Sequence, residues 1–154
     1  MNSQGDLLIV YHSMSGTTDR LSKAIEDGAL KIQGIKIRRK QAFSVTADDL
    51  VQCRVMVICS PEYFGYMAGA IKDLFDRTYE KVREKMFGKS YSVLICAGND
   101  GTGALSSIER IIAGFKMKRV QEPIINKGKI SQEILSKCCE LGQTLAAGMD
   151  LGIY

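Results

Sequence analysis

The sequence predicts a doubly wound α/β domain, in which helices cover both faces of a parallel β-sheet. Apolar runs of strand length recur along the chain, and segments with the apolar spacing of helices lie between them. Strands that alternate with helices in this way are parallel and are joined by right-handed crossovers. With 154 residues, the chain is expected to form one such domain over residues 1–154.

Five strands are predicted. Four are apolar and are expected to be buried: residues 7–11, 55–59, 92–97 and 120–125. The other strand, residues 35–39, alternates isoleucines with cations, which is typical of an edge strand. The basic cluster Lys36, Arg38, Arg39 and Lys40 leaves a nucleic-acid site or a site for the 2′-phosphate of NADPH as alternatives. Because charged residues commonly protect an exposed edge, we favour the edge strand and expect no nucleic-acid partner.

Five helices are predicted between and after the strands. In four of them apolar residues recur at intervals of three or four, within residues 21–32, 71–78, 105–115 and 134–149. The remaining helix is short and follows Thr46, which is a good N-cap residue ahead of Asp48 and Asp49.

The composition predicts a cytoplasmic protein. The first apolar run, residues 7–10, is too short for a signal sequence or a membrane span. Five cysteines form no C-x-x-C pair, and their odd number suits a reducing compartment, so we expect them to be reduced. We expect neither a membrane partner nor a metal site.

The first candidate loop follows the first strand and leads directly into a helix. A sheet of this type binds ligands outside the carboxyl ends of its strands, where the strand order reverses. Four hydroxyl groups, a turn glycine and the free N–H groups of a helix N-terminus together indicate a phosphate site. Ordinary N-capping is the alternative, but one hydroxyl is enough for that. The loop consists of Ser13, Met14, Ser15, Gly16, Thr17 and Thr18.

This loop does not fit four other phosphate-handling classes. It has no Gly-Lys-Ser/Thr for a Walker A site, and Gly16 stands alone without a G-x-G-x-x-G turn. A response-regulator receiver needs acidic residues where Tyr11, His12 and Cys59 stand. A cysteine-dependent phosphatase needs a cysteine and an arginine at the two ends of the loop, where Ser13 and Thr18 stand.

The second candidate loop follows the third strand and is rich in aromatic residues. Aromatic faces at a strand end suit stacking on a planar ring, and a glycine among them lets a backbone amide approach that ring. We expect Phe64 or Met67 instead to pack between the sheet and a helix. The loop contains Pro61, Glu62, Tyr63, Phe64, Gly65 and Tyr66.

The third candidate loop follows the fourth strand and is rich in glycine. By itself it is adequately explained as a strand-to-helix turn capped by Thr102 or Asp100. Together with the other two loops it forms the far wall of a crevice. Its residues are Ala97, Gly98, Asn99, Asp100, Gly101, Thr102 and Gly103.

A family resemblance joins these loops. Residues 9–18 resemble the flavodoxin-type FMN phosphate signature, an apolar strand followed by Ser-x-Ser/Thr-Gly-x-Thr. Residues 47–50 and 60–67 resemble the NAD(P)H:quinone oxidoreductases and FMN reductases related to the tryptophan-repressor-binding protein. The chain departs from the pattern at Ser22, usually alanine, and at Glu62, often threonine. It also lacks the insertions that complete a tetrameric site in the quinone reductases.

The resemblance implies a flavodoxin-like three-layer α/β/α sandwich with a five-stranded parallel sheet in the order 2-1-3-4-5. It implies that residues 13–18 bind the FMN phosphate. It also implies that Pro61, Glu62, Tyr63, Phe64 and Gly65 line the ribityl chain and the isoalloxazine. Gly98, Asn99, Asp100, Gly101 and Gly103 would contact the other ring edge.

Three functions follow as hypotheses. The first is an oxidoreductase that passes electrons from NAD(P)H through FMN to a quinone, a flavin or another acceptor, with a homodimer as one expectation. FMN carries the chemistry, so no catalytic side chain is needed. The second is an electron carrier for a redox protein, which the net charge of +4 opposes because such carriers are typically acidic. The third, a flavin-free binding module, would be expected to lose the loop hydroxyls.

Overall fold

A computed structural model describes residues 5–154. The strands are β1 (Asp6–Tyr11), β2 (Ile37–Gln41), β3 (Cys53–Tyr63), β4 (Tyr66–Met67), β5 (Ser90–Ala97), β6 (Lys118–Arg119) and β7 (Ile124–Lys127). The helices are α1 (Thr17–Ala29), α2 (Ala47–Gln52), α3 (Gly69–Val82), α4 (Thr102–Phe115) and α5 (Gln132–Asp150). Short 3₁₀ turns occupy Ala42–Ser44 and Arg83–Met86.

The order of the sheet confirms the flavodoxin-like fold. Parallel pairing runs β2-β1-β3-β5, and both β6 and β7 then pair with the far side of β5. This is the predicted order 2-1-3-4-5, except that the last strand is broken into two short pieces. Pro123 lies in the break, and because proline has no N–H to donate to the ladder, it interrupts the pairing. The predicted strand over residues 120–125 is therefore wrong in its bounds.

The second candidate loop is largely a β-hairpin, which the sequence did not predict. β3 continues to Tyr63, and β4 returns antiparallel to it. The two turn residues, Phe64 and Gly65, have φ values of 55° and 67°. Positive φ at both positions is what a two-residue type I′ turn requires. The hairpin brings the chain back over the carboxyl end of β3.

Two hydrophobic layers hold the helices on the sheet. Leu7 and Ile9 of β1 face one layer, and Leu8 and Val10 face the other, so the strand is buried on both sides. The helices α1 and α5 cover the first face, while α2, α3 and α4 cover the second. The loops that follow the strands are thus left at the edges of the sandwich.

The predicted edge strand is observed at residues 37–41. Three cations of the basic cluster, Arg38, Arg39 and Lys40, lie on it and are paired with acidic side chains, whereas Lys36 precedes it. Arg38 of β2 donates to both Asp6 and Asp49, and Lys40 Nζ lies 2.7 Å from Asp49 Oδ2. The Arg39 guanidinium lies 2.8 Å from Asp19 Oδ1 and 4.6 Å from the centre of the Tyr11 ring. These side chains tie the edge strand to α1 and α2.

All five cysteines are free, and four are buried. Burial raises the pKa of Cys53 and of Cys138 to about 12, and that of Cys59 well above its ordinary value. At neutral pH these thiols are protonated and pack as small apolar side chains.

Across residues 5–154, no helix combines the length and the apolar character needed to cross a membrane.

Candidate functional site

The three predicted loops meet at one cleft, at the carboxyl ends of β1, β3 and β5. Its volume is about 270 Å³. From the first loop all residues except Gly16 line it, whereas the third loop contributes only Ala97 and Gly98. The lining residues are Ser13, Met14, Ser15, Thr17, Thr18, Pro61, Glu62, Tyr63, Cys96, Ala97, Gly98 and Gly128.

The first loop leaves the N-terminus of α1 open toward the cleft. Gly16 is the N-cap residue with φ 97°, and no side chain caps the helix. Ser13 Oγ instead accepts a hydrogen bond from Gly16 N at 3.0 Å, and Ser15 Oγ donates to Thr17 Oγ1 at 3.4 Å. The N-capping alternative is therefore wrong. The first-turn N–H groups and the positive end of the helix dipole remain available to an anion.

A glycine is required at position 16 by the backbone conformation and not by a lack of space for a side chain. A Cβ at this position meets no atom within 4 Å, but the φ of 97° belongs to a region that other residues rarely adopt. The loop therefore has open space where it faces the helix N-terminus.

The second loop presents its aromatic residues unequally. Tyr63 lines the cleft, whereas Phe64 at the tip of the hairpin is fully exposed. Of the two residues predicted to pack between the sheet and a helix, Met67 is buried there. The prediction is wrong for Phe64. A bulky residue with φ near 55° is strained, and such strain is concentrated at functional sites.

Glu62 connects the second loop to α4. Its Oε2 accepts a hydrogen bond from Ala104 N, in the first turn of α4, at 3.0 Å. A second bond crosses the same gap, from Met67 N to Ser107 Oγ at 3.1 Å. The hairpin and the start of α4 therefore form one connected unit beside the cleft.

Most of the third loop lies behind the cleft or away from it. A Cβ on Gly101 would lie 2.7 Å from Ile125 Cγ2, so this residue packs against the strand behind it. Asn99 and Asp100 are exposed. Asp100 Oδ1 accepts from Thr102 N at 3.0 Å and from Thr102 Oγ1 at 2.9 Å, and these bonds lower the pKa of Asp100.

Two lining residues, Cys96 and Gly128, lie outside the three predicted loops. Cys96 and Ala97 are the last residues of β5, and burial raises the pKa of the Cys96 thiol. Gly128 follows β7, and its N–H donates to Ala97 O at 3.0 Å. Because the last parallel strand ends at the same edge of the sheet, the loop after it could have been predicted to join the site.

His12 packs beside the first loop. Its ring lies edge-on between Phe43 and Tyr63, with centroid distances of 6.0 and 6.3 Å. Its backbone N–H donates to Cys59 O at 3.3 Å. Its ring thus supports Tyr63, which lines the cleft.

Residues 18–131 match the family model described as NADPH-dependent FMN reductase. The chain belongs to that family. The match covers most of the chain and starts at Thr18, so residues 13–17 lie outside it. The FMN reductase family model thus matches the part of the chain that contains the second and third loops.

Known relatives agree with this assignment. The chain is 24% identical to a flavodoxin of Aquifex aeolicus (strain VF5) over 114 residues, covering 72% of this chain and 62% of the relative. The match thus spans less than two thirds of that relative's length.

Solved structures share the fold. A flavodoxin from the domain Archaea superposes with a TM-score of 0.84 at 20% identity, covering 94% of this chain and 99% of that one. The flavodoxin, WrbA-like protein of Agrobacterium tumefaciens gives 0.80 at 16% identity, with 96% and 98% covered. The flavodiiron protein of Giardia intestinalis gives 0.81 at 21% identity, with 95% of this chain but 36% of that one covered.

A larger cavity of about 880 Å³ lies at the opposite, amino ends of the strands. Two of its basic groups are already engaged with backbone carbonyls. Lys89 Nζ donates to the carbonyls of Leu50, Val51 and Cys53 at 2.6–3.0 Å. Arg54 donates to the Met149 and Tyr154 carbonyls. These bonds join the amino ends of β3 and β5 to α2 and to the end of α5.

The residues at the small cleft fit FMN. The phosphate needs N–H and O–H donors, and the uncapped start of α1 with its surrounding hydroxyls supplies both. A planar ring needs an aromatic wall and close backbone approach, and Tyr63 and Gly98 line the same cleft.

Proposed function

We propose that this protein is an FMN-dependent oxidoreductase that takes electrons from NAD(P)H and passes them to a quinone, a free flavin or another small acceptor. The observation that carries the proposal is the uncapped N-terminus of α1, surrounded by loop hydroxyls at the carboxyl edge of the sheet. The FMN reductase family match supports FMN as the cofactor. The family's description supports NADPH as a donor.

Each loop has one task in this proposal. Ser13, Ser15 and Thr17 hold the phosphate together with the first N–H groups of α1. The hairpin of β3 and β4 lines the ribityl chain and the ring, and Gly98 approaches the other ring edge. When bound at these residues, FMN would supply the redox chemistry between the reduced nicotinamide and the acceptor. The chain binds and orients both partners.

The proposal also covers the domain, its location and its assembly. Residues 1–154 act as one FMN-binding domain in the cytoplasm, and two copies of the chain form a homodimer. No catalytic acid or base is assigned, because the side chains beside the cleft serve binding and orientation.

An electron carrier is the second candidate function. Three exposed apolar side chains favour it: Met14 lines the cleft, Phe64 tips the hairpin beside it, and Phe43 packs on His12. Such a surface suits docking of a redox protein. The net charge of +4 opposes it, because it gives no steering toward a basic partner.

Anaerobic reduction separates the two functions. The protein is reconstituted with FMN, and its absorbance spectrum is followed as NADPH and then NADH are added, with free FMN as the control. An oxidoreductase bleaches its flavin within seconds while free FMN stays oxidised. If FMN binds and neither nicotinamide reduces it, the carrier function replaces the enzyme.

A further inference from the structure

The hairpin beside the cleft is attached to α4 by contacts far apart in the sequence. Glu62 Oε2 accepts from Ala104 N at 3.0 Å, across 42 positions, and Met67 N donates to Ser107 Oγ at 3.1 Å. Ser107 Oγ also donates to Ala104 O at 2.9 Å, so this hydroxyl is engaged on both sides. The hairpin is therefore held in place by α4 as well as by its own turn.

The backbone closes the same junction sterically. A Cβ built on Gly103 would lie 2.0 Å from the carbonyl oxygen of Gly65. The first turn of α4 therefore lies directly against the turn of the hairpin. Any loosening of the Glu62 contact moves Phe64 and Gly65, because they are the turn residues of that hairpin.

Among the side chains that join the hairpin to α4, Glu62 differs from Ser107 because it carries charge and lines the cleft. Its carboxylate receives a first-turn N–H of α4, and negative charge at a helix N-terminus is favourable. One carboxylate oxygen, Oε2, is therefore held by a protein donor, and this bond fixes the side chain beside the cleft.

We propose that Glu62 is a positioning residue for the flavin and that its charge lowers the flavin's reduction potential. The carboxylate fixes the hairpin on α4 and so holds the Phe64–Gly65 turn at the flavin edge. Two-electron reduction adds negative charge to the flavin, so a carboxylate beside the cleft weakens binding of the reduced form relative to the oxidised form. This inference rests on the proposed function.

Two substitutions separate position from charge. Glu62→Gln keeps an oxygen that accepts from Ala104 N but removes the charge, whereas Glu62→Ala removes both. Glu122→Gln, at a side chain that is 92% exposed, is the control for loss of an acidic residue. Three quantities are measured: the Kd for FMN, the midpoint potential of bound FMN, and hydrogen exchange of the Ala104 amide in the flavin-free protein.

We expect Glu62→Ala to weaken FMN binding by about tenfold or more, since it removes a hydrogen bond to a charged group. It also accelerates exchange of the Ala104 amide. Glu62→Gln keeps the wild-type Kd within about threefold. The midpoint potential of FMN bound to Glu62→Gln shifts positive, by about 30 mV for each tenfold gain in affinity for reduced FMN relative to oxidised FMN. Glu122→Gln changes none of the three.

Wild-type affinity and exchange in Glu62→Ala would overturn the positioning role. An unchanged potential in Glu62→Gln would overturn the role of the charge. If Glu62→Ala does not fold, Glu62→Gln alone tests the proposal, through the exchange rate of its Ala104 amide and the midpoint potential of its bound FMN. Failure of wild-type protein to bind FMN would instead contradict the proposed function, and the exchange measurement still tests the contact with α4.

Discussion

Gly103 in the first turn of α4 lies against Gly65 in the hairpin turn, with no room for a methyl group between them. The Cβ of an alanine at position 103 would lie 2.0 Å from Gly65 O. Gly103→Ala should therefore destabilise the protein by about 1–3 kcal/mol, the usual cost of overpacking, and weaken FMN binding. Chemical denaturation and flavin titration measure the two effects.

Gly69→Ala is the matched control for that variant. Gly69 begins α3, and a Cβ there meets nothing within 4 Å. Alanine at this position should leave both stability and FMN affinity near wild type or raise stability slightly. Equal effects of the two substitutions would show that the contact of Gly103 with Gly65 carries no energy.

Gly16 and Gly34 allow the role of the phosphate loop to be measured apart from backbone strain. Both have positive φ, 97° and 87°, and both have open space around them. Alanine should cost about 1–2 kcal/mol of stability at each position. Only Gly16→Ala should weaken FMN binding, by about tenfold or more, because its methyl group enters the space in front of the α1 N-terminus. The same Kd for both variants would contradict phosphate binding there.

Phe64 is strained without any packing that compensates for it. Its φ of 55° is unfavourable for a bulky residue, and its side chain is fully exposed. Phe64→Gly should therefore stabilise the flavin-free protein by up to about 1 kcal/mol. Lys116→Gly, with the same φ at the end of α4, should do the same and is the control. A destabilised Phe64→Gly protein with a stabilised Lys116→Gly protein would show that the phenyl ring packs in solution.

Asp49 gives the protein an acid-sensitive contribution to stability. Burial alone would raise the pKa of its carboxyl, but hydrogen bonds from Lys40, Thr46 and Arg38 outweigh burial and lower the pKa from 3.8 to about 2. A carboxyl whose pKa is lowered on folding stabilises the folded state at any pH above its pKa in the unfolded chain. This contribution is lost as the pH falls from about 4 toward 2. The loss should amount to about 2 kcal/mol.

Denaturation at several pH values checks this contribution. Asp49→Asn should be less stable than wild type at pH 7 and should vary less between pH 4 and 2. Asp48→Asn is the control, because Asp48 is an exposed acid in the same first turn. A parallel pH dependence of wild type and Asp49→Asn would contradict the account.

Local patterns were enough to predict most of the fold. The alternation around residues 35–39 identified the edge strand, and Thr46 is an N-cap residue as predicted, with a reciprocal bond to Asp49. The break in the last strand follows from Pro123, a local feature that was available in the sequence. The three loops lie at the carboxyl edge of the sheet because the strand ends of a parallel sheet share one edge, but only Ala97 and Gly98 of the third loop line the cleft.

What the sequence did not reveal depends on contacts between distant residues. Glu62 lines the cleft, and its hydrogen bond to Ala104 N, 42 positions away, could not be read from the sequence. Gly103 was assigned to a glycine-rich turn, whereas in the structure it lies in close contact with Gly65. Phe64 or Met67 was expected to pack between the sheet and a helix; Met67 is buried, and the hairpin turn leaves Phe64 exposed to solvent.

The most direct test of the central claim compares the Kd of FMN with that of riboflavin, which lacks the phosphate, by titration of flavin fluorescence. The phosphate interactions at the α1 N-terminus should make FMN bind about 100-fold more tightly, since a few hydrogen bonds to a charged group contribute roughly 3 kcal/mol. Equal affinities for the two flavins, or no binding of either, would contradict the assignment of residues 13–18 as an FMN phosphate site.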